Sequence, residues 1–384
     1  MADFTLPTHV FTGQSALREA TKAMKTLGKK ALIVTGPHVV HSSMMDELKT
    51  MLEKQGIEYS VFCDITGEPT DEMIEQGTKC FIESDAEFII GMGGGSPLDS
   101  AKAISVMSKS DGKIADFMGK EITGEYPLVV AIPTTAGTGS EATKFTVITD
   151  KKTDIKMLLK GNSILPYMAV LCPGFTDDMP KSVTAATGLD ALTHAIESFI
   201  SKKATPLTDV LAISSVKRIM KYLPVAYKNG YDKTAREEMV LASYEAGVCI
   251  NNSSVTIVHG MSRPIGALFH VPHGKSNAML LGKCLEYVID GAKEKFAILA
   301  KETGVSSVTD TADEAAKKFI DAVYDVIKIC EIPTLKEYGI DEGEFRKVME
   351  KMSTDAIASG SPSNAPVDVT KEDCMKIYDQ LISL

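Results

Sequence analysis

The chain has 384 residues, of which 44% are hydrophobic and 24% are charged, so we expect a soluble globular protein with two domains. Its formal charge of -10 argues against nucleic acid or an anionic membrane as the main partner. No apolar run is long enough for a membrane span, and the seven cysteines form no Cys-x-x-Cys pair, which argues against disulfides and a thiolate zinc site. We therefore expect a cytoplasmic protein.

The first part of the chain predicts a mostly parallel sheet. Its opening, DFTLPTHVFTGQSALRE, indicates an extended segment that leads into a helix. From residue 29 to about 175, short apolar runs alternate with helical spacing around 43–55, 70–84 and 97–108. Such repetition favours a parallel sheet covered on both faces. The predicted strands are KKALIVTG, YSVFCDI, AEFIIGMGGG, YPLVVAIPTT and MAVLCPG.

The second part of the chain predicts helices. From Lys181 onward, apolar residues recur three and four positions apart, for example in SVTAATGLDALTHAIESFIS. A late loop is predicted at 358–368, in ASGSPSNAPVD. We therefore expect an α/β domain over residues 1–180 and an all-α domain over residues 181–384.

A glycine-rich turn separates a predicted strand from a predicted helix in FIIGMGGGSPLDSAKAI. Gly93, Gly94 and Gly95 let a backbone approach a phosphate closely, and Ser96 and Asp99 suit the first turn of a helix. The dinucleotide fingerprint Gly-x-Gly-x-x-Gly is not met, since serine follows the third glycine. The alternative is a tight turn without a ligand.

A second loop of small residues follows a later strand, in VVAIPTTAGTGSEAT. It places Thr134, Thr135, Thr138 and Ser140 at the carboxyl end of that strand, where parallel sheets bind ligands. Two such loops indicate a dinucleotide. Lys156 is either a further cofactor residue or a solvated lysine.

Three histidines and an aspartate in the helical part suit a metal site. Asp190 and His194 are four residues apart on one predicted helix, so they share a face. His259 and His273 bracket the segment HGMSRPIGALFHVPHG. Nitrogen and oxygen donors without thiolate favour Fe(II) or Zn(II) over Ca(II) or Mg(II). Taken singly, each residue is as well explained by a surface contact or a core histidine.

Four motifs together resemble the iron-containing, or group III, alcohol dehydrogenase family. They are GGGSPLDSAK, PTTAGTGSEAT, GLDALTHAIES and the HGM…PHG segment. The resemblance spans nearly the whole chain and implies a Rossmann-like dinucleotide domain, a helical metal-binding domain across a cleft, and subunits that pair as a homodimer or higher homo-oligomer through the first strand. It places the metal ligands on Asp190, His194, His259 and His273, with Fe2+ favoured and Zn2+ or Mn2+ as alternatives. The implied activity is NAD(P)-linked reduction of a short aldehyde.

The sequence departs from this family at Arg263. Many relatives carry a histidine there, four residues after the third ligand, that helps to relay a proton. Arginine stays protonated and is no general base. The proton would then travel through cofactor ribose hydroxyls, water or His270.

Three interpretations of Arg263 stay open. It pairs with a structural carboxylate, touches a cofactor phosphate, or clamps an anionic group on the substrate, which is the interpretation we favour. Sulfoacetaldehyde, phosphonoacetaldehyde and succinic semialdehyde would fit such a clamp. The polar run at 251–254 either adds donors to this site or caps a helix end.

A second departure concerns the choice of cofactor. NAD-specific relatives tend to have an aspartate after the first strand, where this chain has Gly36. Glu68 could restore a carboxylate beside the same ribose hydroxyl. We therefore favour NAD(H) over NADP(H).

Other functions compete with this hypothesis. Within the class, the alternative is a reductase of neutral aldehydes or diols such as lactaldehyde, 1,3-propanediol or ethanol. Outside it are a non-redox enzyme like dehydroquinate synthase, which shares the fold, and a catalytically silent scaffold.

Overall fold

The computed structural model describes residues 3–153 and 155–384. The chain divides into two compact units, the first ending at Asp177 and the second running from Asp178 to Leu384. The predicted boundary after residue 180 lies close to this division. None of the helices in the described ranges is long and apolar enough to cross a bilayer.

In the described residues of the first unit, eight strands form two sheets. They are β1 (His9–Thr12), β2 (Lys30–Val34), β3 (Glu58–Phe62), β4 (Phe88–Gly93), β5 (Val129–Pro133), β6 (Phe145–Asp150), β7 (Ile155–Lys160) and β8 (Met168–Leu171). Six strands make one parallel sheet in the order β1-β8-β5-β4-β2-β3. The predicted parallel sheet is confirmed, but the antiparallel hairpin of β6 and β7 was not predicted.

Helices cover both faces of the parallel sheet. Side chains alternate along a strand, so Leu32 and Ile33 of β2 belong to two different apolar cores. The core around Ile33 includes Leu48, and the core around Leu32 includes Ile104. The helices of this unit are α1 (Ala16–Met24), α2 (Pro37–Val40), α3 (Ser43–Gln55), α4 (Asp71–Glu83) and α5 (Gly95–Met107).

The second unit is helical, as predicted. Its helices are α6 (Lys181–Ile200), α7 (Pro206–Lys228), α8 (Lys233–Asn252), α9 (Ile257–Phe269), α10 (His273–Thr303), α11 (Ala312–Ile329), α12 (Glu342–Ala358) and α13 (Lys371–Ile382). The side chains of Thr205 and Asp232 cap α7 and α8 by accepting hydrogen bonds from backbone N–H groups. The predicted loop at 358–368 contains one short turn of 3-10 helix, Pro362–Asn364.

Candidate metal and cofactor sites

Three helices bring one carboxylate and three imidazoles together. Asp190 and His194 lie one turn apart on α6, His259 lies in the first turn of α9, and His273 is the first residue of α10. One donor atom from each lies within 4.8 Å of the others. Oδ1 of Asp190 is 3.9, 3.8 and 3.7 Å from Nε2 of His194, His259 and His273, respectively. The structure therefore brings together all four residues that the sequence selected.

A glycine allows this convergence. A Cβ atom on Gly274 would lie 2.5 Å from the carbonyl oxygen of Ala186 and 3.3 Å from Cβ of Asp190. The start of α10 thus packs against α6 more closely than a side chain would permit. Since His273 precedes this glycine, the close approach carries its imidazole to Asp190.

The chemistry of the set suits a first-row divalent cation. Asp190, His194 and His259 are buried, whereas the side chain of His273 is 46% exposed. Burial lowers the pKa of His259 well below its usual value, and the other two imidazoles act in the same direction. A neutral imidazole keeps the lone pair that a metal requires. A buried cluster of nitrogen and oxygen donors without thiolate fits Fe(II), Zn(II) or Mn(II).

A buried carboxylate behind His259 was not predicted. Glu197 is fully buried, and its Oε2 lies 2.6 Å from Nδ1 of His259. Its Oε1 accepts hydrogen bonds from the Thr256 hydroxyl at 2.7 Å and from the backbone N–H of Val258 at 2.6 Å. A carboxylate in this position holds the proton on Nδ1 and leaves Nε2 free for a metal. Helical spacing could have pointed to Glu197, because residues 190, 194 and 197 share one face of a helix.

The glycine-rich turn forms a cradle at the start of α5. Gly93 has φ +150°, and a Cβ atom there would lie 2.6 Å from Cγ of Pro97. Gly94 caps α5, and a Cβ atom on Gly95 would lie 3.0 Å from the side chain of Thr138. The free N–H groups of this helix end, among them that of Ser96, are an anion-binding feature.

The second loop lies directly beside this turn, as predicted from the two strand ends. The backbone N–H of Thr134 donates to the carbonyl oxygen of Gly93 at 2.9 Å. The side chain of Thr135 would lie 3.5 Å from a Cβ atom on Gly94. The two loops therefore form one surface at the carboxyl ends of β4 and β5.

A buried lysine that the sequence did not single out joins the two loops. Nζ of Lys102, on α5, donates to Oγ of Ser140 at 2.8 Å, Oγ1 of Thr143 at 3.2 Å and the carbonyl oxygen of Phe145 at 2.8 Å. Oγ of Ser140 in turn donates to Oδ1 of Asp99 at 2.5 Å. Asp99 and Ser140 thus connect the loops through bonds within the protein. Their predicted contact with a cofactor stays a prediction.

Family models match almost the whole chain. The model for iron-containing alcohol dehydrogenase matches residues 7–173, and the model for the C-terminal part of the Fe-containing alcohol dehydrogenase family matches residues 184–382. The chain belongs to the iron-containing alcohol dehydrogenase family. It is therefore an oxidoreductase that acts on alcohols, as the four motifs predicted.

Relatives of this iron-containing alcohol dehydrogenase carry different names. The NADPH-dependent butanol dehydrogenase of Clostridium saccharobutylicum is 35% identical over 99% of this chain and 97% of its own length. A solved 1,3-propanediol oxidoreductase is 32% identical with a TM-score of 0.96, covering 99% of this chain and 100% of that one. The sulfoacetaldehyde reductase of Bifidobacterium kashiwanohense, solved in complex with NAD+, is 26% identical with a TM-score of 0.90, covering 100% of this chain and 99% of that one.

Arg263 lies one turn after His259 on α9. Its side chain is exposed, and in the parts of the chain that the structure describes it makes no hydrogen bond or ion pair. Desolvation by surrounding protein atoms lowers the pKa of Arg263, but a guanidinium stays charged at neutral pH. Its charge also contributes to the lowered pKa of His259. The guanidinium is thus close enough to this histidine to act on it electrostatically.

His270 ends α9 in a left-handed conformation with φ 54° and is exposed. Among the residues described, no hydrogen bond or ion pair connects its ring to the four donors. Its place in a proton relay stays a prediction.

The polar run at 251–254 behaves as a helix end. Oγ of Ser253 donates to the carbonyl oxygen of Ser198, Nδ2 of Asn252 donates to that of Val248, and Ser254 accepts from Asn364. These bonds favour the capping interpretation over a set of substrate donors.

The residues predicted to choose the cofactor lie in the first unit. Gly36 caps α2, and a Cβ atom there would lie 2.9 Å from the carbonyl oxygen of Ile65. An aspartate at position 36 would therefore require the backbone to shift. Oε1 of Glu68 pairs with Nζ of Lys156 on β7 at 2.7 Å, and both side chains are exposed. The structure joins the two charged candidates into one ion pair.

Proposed function

We propose that this protein is a metal-dependent, NAD(P)-linked alcohol dehydrogenase that works mainly as an aldehyde reductase. The convergence of Asp190, His194, His259 and His273 carries the proposal, because it supplies four donors that suit a divalent ion. An ion held there supplies a Lewis acid that polarises an aldehyde carbonyl or lowers the pKa of an alcohol. Fe2+ is favoured by the family, with Zn2+ or Mn2+ as alternatives.

The glycine-rich turn and the loop beside it are the proposed cofactor site. The N–H groups at the start of α5 would hold the pyrophosphate, and the small residues from Thr134 to Ser140 would line the nicotinamide half. The bound nicotinamide provides the hydride through its C4 atom. The chain's own contribution is to hold the two loops together. Lys102 does so by donating hydrogen bonds to Ser140 and to the carbonyl oxygen of Phe145.

We favour NAD(H) because Glu68 would supply a carboxylate beside the ribose of the cofactor. It would accept a hydrogen bond from a ribose 2′-hydroxyl and repel a 2′-phosphate. Lys156 partly offsets that repulsion, since it pairs with Glu68 at 2.7 Å. The preference is therefore expected to be modest.

We propose that Arg263 selects substrates that carry an anionic group. Two observations favour this role over the alternatives: the guanidinium is exposed without an ion pair in the described residues, and it lies one turn from His259. A planar guanidinium offers paired donors to a sulfonate, phosphonate or carboxylate. Sulfoacetaldehyde, phosphonoacetaldehyde and succinic semialdehyde are the substrates to test. The proton route through ribose hydroxyls, water or His270 stays a prediction, as do a homodimer and a cytoplasmic location.

Comparing substrates with and without the charge tests this role. Fe(II)-loaded protein is assayed without oxygen for kcat/KM with sulfoacetaldehyde and with propionaldehyde. A charge-assisted hydrogen bond contributes about 1.5–3 kcal/mol, so the sulfonate is expected to be favoured roughly ten- to a hundredfold. The variant Arg263→Met should lose this preference while it keeps activity with propionaldehyde.

Equal use of both aldehydes by the parent protein would contradict the anion clamp. It would favour a reductase of neutral aldehydes or diols. The relatives named butanol dehydrogenase and 1,3-propanediol oxidoreductase are consistent with that alternative. The silent scaffold gains nothing from the structure, since the four donors are all present. The non-redox alternative gains nothing from the comparisons, since both family models that match the chain are of iron-containing alcohol dehydrogenases.

A further inference from the structure

Asn277 lies against the four metal donors. It is fully buried on α10, one turn after His273. Its amide nitrogen is 2.7 Å from Oδ1 of Asp190 and 3.2 Å from Nε2 of both His259 and His273. One side-chain amide thus contacts three of the four donor atoms.

The orientation of this amide follows from its neighbours. The nitrogen donates to the carboxylate of Asp190 and also faces two imidazole nitrogens, which accept only in the tautomer that carries its proton on Nδ1. The reversed amide would place its oxygen 2.7 Å from the carboxylate of Asp190, where two acceptors repel each other. The present Oδ1 is buried and has no hydrogen-bond partner in the described residues. The orientation is therefore assigned from the contact of the N–H group with Asp190.

We propose that Asn277 is a positioning residue of the metal site, whose amide N–H holds the carboxylate of Asp190 in place for the ion. This inference rests on the proposed function. The N–H occupies one lone pair of Oδ1 and leaves another for a cation. Nε2 of His259 and Nε2 of His273 each lie 3.2 Å from the same nitrogen, so the amide also faces these two ligands. Because His273 and Asn277 share one helical turn, α10 supplies both a ligand and the group that orients another ligand.

The test measures metal binding rather than turnover. The variants are Asn277→Ala, which removes the amide, and Asn277→Asp, which keeps its shape but replaces the N–H by a second carboxylate. Ser276→Ala is the matched control, since Oγ of this buried neighbour donates to the carbonyl oxygen of His273 and not to a donor atom. Co(II) and Zn(II) affinities are measured by competition with a coloured chelator, and the visible spectrum of the Co(II) form is recorded. Thermal unfolding of each metal-free variant verifies the fold.

Loss of such an orienting partner typically weakens metal binding about 10- to 100-fold. We expect this loss in Asn277→Ala and in Asn277→Asp, together with a changed Co(II) spectrum at saturation. Ser276→Ala should keep the parent affinity and spectrum. If Asn277→Ala binds as tightly as the parent, the positioning role is wrong. If Asn277→Asp binds more tightly, the residue acts as an oxygen ligand and the role is also wrong. A parent protein that binds neither ion would overturn both this inference and the proposed metal site, whereas a normal parent with unaffected variants overturns this inference alone.

Discussion

Replacing Glu197 by glutamine is expected to weaken metal binding by changing the tautomer of His259. Both carboxylate oxygens of Glu197 make hydrogen bonds, whereas a glutamine side chain has only one oxygen. Oε1 accepts from Thr256 and Val258, and Oε2 pairs with Nδ1 of His259. Turning the NH2 group toward Thr256 and Val258 would set a donor against two donors. Each lost bond costs about 1 kcal/mol, and each buried group left without a partner about 1–3 kcal/mol more.

The glutamine oxygen is therefore expected to face Thr256 and Val258, with its NH2 group toward Nδ1 of His259. That nitrogen must then accept a hydrogen bond, which moves the imidazole proton to Nε2. Nε2 is the atom that faces Asp190 at 3.8 Å, so the proton would occupy the lone pair that a metal needs. Correcting the tautomer should cost about 1.4–2.8 kcal/mol, equivalent to a 10- to 100-fold weaker affinity.

The assay separates this effect from damage to the fold. Zn(II) affinity is measured by chelator competition, and the stability of the metal-free protein by thermal unfolding. Because burial already raises the pKa of Glu197, removing its charge should leave the metal-free protein as stable as the parent or more stable. Glu245→Gln is the matched control, since Glu245 is a largely buried glutamate on α8 whose partners are Ser214 and Arg218. Parent affinity in Glu197→Gln would refute the proposed role of the carboxylate.

Three further predictions concern the first unit. Lys102→Met should raise the KM for NADH on the order of tenfold with a smaller change in kcat, because the cofactor loop loses the buried donor that binds Ser140. Lys79→Met is the control, since Lys79 is exposed. Unchanged steady-state constants in Lys102→Met would contradict the role of Lys102 in joining the two loops. Burial raises the pKa of Glu141 to about 7, so the folded state binds its proton more tightly than the unfolded state and loses stability as pH rises from about 4.5 to 7. Glu141→Gln should remove up to about 3 kcal/mol of that loss at pH 8, which urea unfolding at pH 5 and pH 8 would detect or disprove. Glu68→Ala should raise kcat/KM for NADPH relative to NADH on the order of tenfold, and an unchanged ratio from paired assays would exclude Glu68 as the selector.

Local sequence patterns were sufficient for the parallel sheet, whereas the full set of metal residues came from the family resemblance. Parallel strands are buried on both faces, so β2 contains the continuous apolar run ALIV, which is easy to recognise. The hairpin of β6 and β7 was missed because the apolar residues of FTVITD do not mark its buried face: Thr146 and Ile148 are buried, whereas Val147 is exposed. Asp190 and His194 could be placed together because helical spacing puts them on one face. Their distance to His259 and His273 depends on the packing of three helices, which spacing alone does not determine.

The polar residues that were missed resemble ordinary surface residues in the sequence. Lys102, Glu197 and Asn277 lie in helices, where a charged or polar residue normally marks the solvated face. Each is fully buried, and its partners come from segments far away in the chain. Only the helical spacing of Lys102 from Asp99, of Glu197 from His194 and of Asn277 from His273 pointed to them.

The central claim is that the four converging side chains make this protein a metal-dependent reductase. The most direct measurement follows NADH absorbance at 340 nm in the presence of propionaldehyde and sulfoacetaldehyde, without oxygen, for chelator-stripped protein and for the same protein reloaded with Fe(II). We expect the stripped protein to be inactive, the reloaded protein to consume NADH with at least one aldehyde, and His194→Ala to stay inactive after reloading. NADH consumption that is equal with and without metal, or that persists in His194→Ala, would contradict the account.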